Sequence, residues 1–180
     1  EGFDVAIRAS PTGLKSSSLI ARQVATAHIV LCASPDYLKR HGVPKTLADL
    51  SRHNFIEYSG VSAQDLVSAA NGGSAGSAAQ LRLTGNMIVN HLEALRVVVL
   101  QGAAIALLGT EVVGDDIAAG RLVPLLVDIL PPRELPIHVM YASRRHVSAK
   151  VRSFVDFLAD RFSNESLWPT LEQVRTLAAS

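Results

Sequence analysis

The stretch from Asn90 to Thr110, Asn-His-Leu-Glu-Ala-Leu-Arg-Val-Val-Val-Leu-Gln-Gly-Ala-Ala-Ile-Ala-Leu-Leu-Gly-Thr, restricts the fold more than any other part of the chain. The Asn90 side chain can accept from the free N–H groups of a first helical turn, and Glu93 stands where a carboxylate reaches back, so a capping box is predicted. Leu92 to Leu100 is apolar nearly all round, with only Glu93, Arg96 and Gln101 as a wet edge, which predicts a helix pressed between other layers. Gly102 supplies the left-handed residue that ends a helix. The Ala-Ile-Ala-Leu-Leu that follows is a short run of the kind buried on both faces of a sheet. Helix, glycine and buried strand make half of a βαβ unit, and the expected fold class is α/β.

A chain of 180 residues is long enough for one substantial core or two small lobes. Its 48% hydrophobic and 18% charged residues place it among globular rather than disordered chains. A formal charge of +1 leaves no electrostatic footprint that would hold a nucleic-acid backbone by itself, so the expected ligand is small. The single cysteine, Cys32, lies in an apolar run and reads as a buried structural thiol. No apolar span is long enough for a bilayer and no basic-then-apolar signal segment opens the sequence, which predicts a cytoplasmic protein. The chain starts at Glu1, on the approach to what reads as a buried strand, and is expected to be a fragment.

In order, Phe3 to Ala9 predicts a strand with Arg8 at its far end, closed by a Ser-Pro-Thr-Gly loop. Ligands of open α/β sheets gather outside strand carboxyl ends, so Arg8 is either an anion-binding group or a surface ion-pair partner. Ser16 to Val24 reads as a polar link and His28 to Ala33 as a second strand. Ser34, Pro35 and Gly42 delimit the helix Asp36 to His41. Thr46 to Asp49 repeats the capping pattern, and Asn54 to Tyr58 returns as a strand ending in Ser59-Gly60. Ala69 to Ala79 reads as a loop tip and Gln80 to Thr84 as an edge strand. Beyond the central unit, Thr110 is expected to cap a helix that Gly120 ends, with Glu111, Asp115 and Asp116 on its wet side. Leu122 to Val127 and Leu135 to Ala142 predict strands separated by Pro131-Pro132. Ser148 opens a helix with Val151, Phe154, Val155, Leu158 and Phe162 toward the core. A last helix, Leu171 to Ala178, has no partner that the sequence names.

No nucleophile elbow, phosphate loop or dinucleotide fingerprint occurs. The histidines, His28, His41, His53, His91, His138 and His146, never fall at metal-ligand spacing, so neither metal nor cofactor is expected. The basic run Arg144, Arg145, His146, Lys150 and Arg152 reads as a solvated face. What remains is a polar rim: Arg8, Ser10, Ser59, Asn90, His91 and Thr110 all sit at predicted strand ends or helix starts, where free N–H groups and hydroxyls can hold an anion. Each also has a plain capping reading, Asn90 and Thr110 above all.

From about Gly2 to Phe162 the chain resembles the C-terminal effector-binding domain of LysR-type transcriptional regulators. The matching pieces are Asp-Val-Ala-Ile-Arg (4 to 8), Ser-Ser-Leu-Ile-Ala-Arg (17 to 22), Leu-Cys-Ala-Ser-Pro-Asp-Tyr-Leu-Lys-Arg-His-Gly (31 to 42) and Leu-Ala-Asp-Leu (47 to 50). They continue with Asn-His-Leu-Glu-Ala-Leu (90 to 95), Ile-Ala-Leu-Leu (105 to 108), Ala-Ala-Gly-Arg-Leu-Val (118 to 123) and Ser-Arg-Arg-His (143 to 146). The resemblance implies a two-lobe fold like that of type 2 periplasmic binding proteins, with a small effector between the lobes. Lobe I would take residues 1–27 and 135–162 and be incomplete; lobe II would take 28–134, and 163–180 would be a tail outside the family pattern. By position, Arg8 and Ser10 would reach the ligand from lobe I, and Ser59, Gly60, Asn90 and His91 from lobe II, where Thr110 of the polar rim also falls. The implied partners are a small organic effector, an anion by the positive potential of Arg8 and the helix starts, and further copies in a homodimer or homotetramer. DNA would be met only through a winged helix-turn-helix that this sequence does not include. Two departures stand out: Gly102-Ala103-Ala104 where the family has Gly-x-Gly, and Gly109 where it has proline. A solute-binding protein of a transporter is the alternative with the same fold.

Overall fold

The computed structural model describes residues 3–10, 19–60, 83, 85–142, 147–163 and 168–178. Its backbone is an antiparallel sheet whose strands run β1 (Val5–Ala9), β7 (Arg133–Ala142), β2 (Leu19–Ala33) and β5 (Ala106–Gly109). A short strand β6 (Val123–Pro124) pairs with β2 at Cys32 and Ala33. Two further strands, β3 (Glu57–Tyr58) and β4 (Ile88–Val89), pair in parallel. Phe55 bridges Ile105, also in parallel, so β4, β3 and the start of β5 run side by side in one direction.

The helices are α1 (Pro35–His41), α2 (Leu92–Leu100), α3 (Thr110–Ala118), α4 (Ala149–Ser163) and α5 (Leu171–Ala178). At α1 the predicted signals are all used. Ser34 Oγ accepts from the Tyr37 N–H, Pro35 occupies the first turn, and Gly42 ends the helix at φ +82°. Thr46 and Asp49 cap each other reciprocally at the following 3₁₀ turn, Ala48–Arg52. Tyr37, fully buried, joins this turn to the next strand: its hydroxyl meets His53 Nδ1 at 3.2 Å and accepts from the Asn54 N–H at 3.0 Å.

Long β2 organises the packing. Val30 and Cys32 lie with Leu95 and Val99 of α2, Val113 and Ile117 of α3 and Val174 of α5. Leu31 and Ala33 lie in a second cluster with Tyr37, Leu38, Leu50 and Phe55. Where β2 crosses β7, Ala27, Ile29, Leu135 and Ile137 form a third, and Val139 is covered by Val151, Val155 and Leu158 of α4. Burial pushes the Cys32 thiol up to about 12, helped by the nearby Asp116 carboxylate, as a structural cysteine requires.

Several expectations are corrected. Leu19 to Val24 is the first part of β2 and no link; its polar pattern is that of a largely exposed strand paired on β7. The helix start belongs to His91, whose Nδ1 accepts from the Ala94 N–H at 3.4 Å, while Glu93 pairs forward with Arg96. Helix α2 is also one-sided, burying Leu95 and Val99 and leaving Val97 47% exposed. Thr110 is the first residue of α3 and lends it no side-chain cap. Asp116 is completely buried instead of wet: it accepts from Arg96 Nε at 2.5 Å and Nη2 at 3.1 Å and from Arg121 Nε at 2.8 Å. Burial pushes that carboxyl up, but the two guanidiniums outweigh it and hold Asp116 below the usual range. Strand β1 is largely exposed, with Phe3 and Ile7 in solvent, and Phe154 stands outside the core. The Leu122 to Val127 strand shortens to β6 and turns at Leu126, φ +54°. The 69–79 loop, most of 80–84 and the basic residues 144–146 fall outside the described residues.

Candidate functional site

Parallel strands end where their crossover helices begin, and here β4, β3 and β5 finish at one edge. The Ser59 N–H donates to the Val89 carbonyl at 2.9 Å, which sets Ser59 and Gly60 beside Asn90 and His91. Helix α2 starts at His91 and α3 at Gly109-Thr110, so two helix starts open on this edge with their positive dipole ends. Ser59, Gly60, Asn90 and His91 are exposed there; Thr110 is buried.

Arg8 and Ser10 lie elsewhere in the same sheet. Directly opposed residues of antiparallel strands share a face, and Arg8 opposes His138, which opposes Gln23. The register then shifts between Gln23 and Ala25, beyond which Thr26 opposes Pro136 and His28 opposes Glu134. Gln23 Nε2 donates to Thr26 Oγ1 at 3.0 Å, and it is the extra residue that brings these two, three apart, to the same face. The Ser10 N–H donates to the Pro136 carbonyl, continuing the register. One face of the crossover therefore carries Arg8, Ser10, His138, Gln23, Thr26, His28 and Glu134, away from α4. At His28 it reaches the helix-start edge, where the His28 N–H donates to Thr110 Oγ1 at 3.0 Å. Thr110 thus serves β2 rather than α3. Five of the seven anticipated residues share the edge, and the other two lie on the polar face that runs into it.

Three groups of this surface escape sequence reasoning. His28 Nδ1 and His138 Nδ1 are enclosed with no hydrogen-bond partner among the described residues. Burial lowers the His28 imidazole and Glu134 opposes that shift. The third is Glu111, expected on a solvated helix side. Its carboxylate folds back over Gly109, so that a Cβ there would stand 2.1 Å from Oε2. Oε2 is enclosed without a partner among the described residues, and burial raises the carboxyl while a bond from its own backbone N–H opposes the rise. The available signal is the Gly109-Thr110-Glu111 triplet, in which the missing side chain leaves room for the carboxylate.

The raised carboxyl makes a measurable prediction. A group whose folded pKa exceeds its unfolded value, here 4.5, takes stability away as pH rises through the folded value. Glu111→Gln is therefore expected to be more stable than wild type at pH 7.5, with the gain shrinking toward pH 4.5. Urea midpoints at both pH values test this, and an equal or opposite difference at the two would count against the enclosed carboxylate.

A mixed sheet carrying a polar face that ends at paired helix starts defines a ligand-binding α/β domain, with the ligand expected outside the carboxyl ends of the parallel strands. Residues 1–163 match the family described as the LysR substrate binding domain, and the chain belongs to that family. It is 32% identical over 168 residues to the HTH-type transcriptional regulator CrgA of Neisseria meningitidis serogroup C, covering 89% of this chain and 52% of CrgA. It is 34% identical over 163 residues to the HTH-type transcriptional regulator DmlR of Escherichia coli K12, covering 91% of this chain and 51% of DmlR. The solved regulatory domain of CrgA superposes with a TM-score of 0.73 at 29% identity, over 89% of this chain and 76% of that one. The fold is accordingly that of the LysR regulatory domains, the two-lobe type 2 periplasmic-binding-protein fold, and the relatives are transcriptional regulators rather than transporter components. The chain spans about half the length of the curated relatives it matches. No helix among the described residues is long and apolar enough to cross a membrane.

Proposed function

We propose that this chain is the effector-sensing part of a bacterial LysR-type transcriptional regulator, without enzymatic activity of its own. A small organic ligand binds between lobe I (1–27 and 135–162) and lobe II (28–134), and closure of the lobes biases how the full-length protein meets DNA. In that protein a winged helix-turn-helix contacts the operator, and the assembly is a homodimer or homotetramer in the cytoplasm. The observation that carries the reading is the meeting at His28 of the polar face with the edge where α2 and α3 begin. Arg8, Ser10, Ser59, Gly60, Asn90, His91 and Thr110 are its ligand-facing set. The helix starts and Arg8 favour a carboxylate on the ligand, while the enclosed Glu111 oxygen favours a hydroxyl or amino donor on the same molecule.

The test is a thermal-shift screen of small hydroxy- and amino-carboxylates, run in parallel on wild type and on Arg8→Ala. A ligand present at about a hundred times its Kd stabilises by ~2.7 kcal/mol, a shift of a few degrees. The expected outcome is a saturable shift for at least one such acid, weakened at least about tenfold in affinity in Arg8→Ala by loss of a charged hydrogen bond. Saturable shifts confined to amines or uncharged compounds would overturn the anionic assignment.

A further inference from the structure

We infer that Trp168 to Ala178 form a brace between the crossover strands and α3, which restrains the rotation of the two lobes. This rests on the two-lobe reading proposed above. It begins with an unfilled place in the sheet. The Pro136 carbonyl accepts from the Ser10 N–H, so it faces β1, and the Thr26–Pro136 rung exchanges no hydrogen bonds. The Thr26 carbonyl therefore faces the other way, into the lane that β5 occupies only as far as Gly109, opposite Ile29. Two side chains finish that lane where the strand has ended. Thr110 Oγ1 accepts from the His28 N–H, and the Trp168 indole Nε1 donates to the Thr26 carbonyl, both at 3.0 Å.

The Trp168 ring also packs against the Ala27, Ile29, Leu135 and Ile137 cluster and sits 5.7 Å, centroid to centroid, from Phe162 of α4. The next residue seats on α3: a Cβ on Gly114 would lie 2.5 Å from Pro169 Cδ. Thr170 and Gln173 then cap each other reciprocally at the start of α5, and Val174 is fully buried beside Val113 and Ile117 of α3. A short segment is thus bonded to the crossover at one end and set into the α3 core at the other. Hinge motion changes backbone angles at a few crossover residues, and this segment ties Thr26 to Gly114 across them. The matched family region ends at residue 163, so the brace lies outside it.

The test uses Trp168→Phe, which deletes the indole donor, and Gly114→Ala, whose Cβ unseats Pro169 while alanine improves the helix propensity of α3. Hydrogen exchange of Thr26–Ile29 and Leu135–Ile137 is compared with that of Leu107 and Leu108 in β5, without ligand. Spin labels at Q101C and S153C, at the C-terminal end of α2 and on α4, report the spread of inter-lobe distances; Cys32 is buried and does not compete for label. Both variants are expected to speed exchange in the crossover by about tenfold or more, leave β5 unchanged, and broaden the distance distribution. A uniform rise in exchange, no rise, or an unbroadened distribution would each overturn the brace. No ligand enters the measurement, so a failed ligand screen leaves this result standing and sinks only the effector reading.

Discussion

Asp116→Asn is expected to cost about 2–4 kcal/mol of folding stability, read as a lowered urea midpoint with unchanged slope. The carboxylate is completely enclosed and is the shared acceptor of Arg96 on α2 and Arg121 beyond the end of α3. Removing one partner of a buried ionic group leaves the others without compensation, and that usually costs more than the pair contributed. The range is discounted here because the Arg96 and Arg121 side chains are 24% and 54% exposed and regain water once released. The adjacent Asp115→Asn, on an exposed residue, should change stability by no more than about 0.5 kcal/mol. The acid limb carries a second signature. A carboxyl held below its unfolded value of 3.8 adds stability that is full above that pH and is lost as pH falls through the lower folded value. Wild type should therefore lose part of its margin over Asp116→Asn below pH 3.8. An asparagine variant equal to wild type at neutral pH would mean that the arginines do not depend on Asp116.

Leu95→Ala is expected to cost about 3 kcal/mol, and Val97→Ala two residues away less than about 1 kcal/mol. Leu95 has no exposed surface and packs in the cluster containing Val99, Val113 and Ile117, whereas Val97 is 47% exposed. Similar costs at the two positions would restore the sequence expectation of a helix covered on all sides. That expectation came from counting apolar residues, and the count is a poor guide on a helix whose wet side also holds valine and alanine.

The contrast marks what could be read in advance. Local chemistry was legible: Ser34, Pro35 and Gly42 bound α1 because each acts within one turn, and Leu171–Ala178 was placed to the residue. Pairings between distant positions were not. Leu19 to Val24 is a strand because β7 supplies its partners more than a hundred residues later, and nothing in its own pattern announces that. Asp116 looked solvated because Arg96, which buries it, lies twenty residues earlier. At the candidate site Gly60 came with the family resemblance, while the strand-end rule grouped Arg8 and Ser10 with Ser59, Asn90, His91 and Thr110, of which the last four share the edge since helix starts follow parallel strands by construction. It misjudged what Thr110 and Asn90 do there, because the choice between Asn90 and His91 as cap is one of a single residue's backbone angle. Glu111 was missed since its fold-back depends on the space above Gly109, a property of the packed helix start rather than of spacing.

The register shift between Gln23 and Ala25 sets terms for how this chain can change over generations. Gln23 and Thr26 share a face only because one additional residue is spent between them. Deleting that extra residue would leave Gln23 and Thr26 two apart in a regular ladder, both still on the same face and Arg22 still turned toward Asp156 on α4, whereas a loss further along β2 would turn over the side chains beyond it. Length is thus held less tightly at that point than elsewhere in the strand, and where close copies of this gene differ by a letter gained or lost in β2, the difference should fall there.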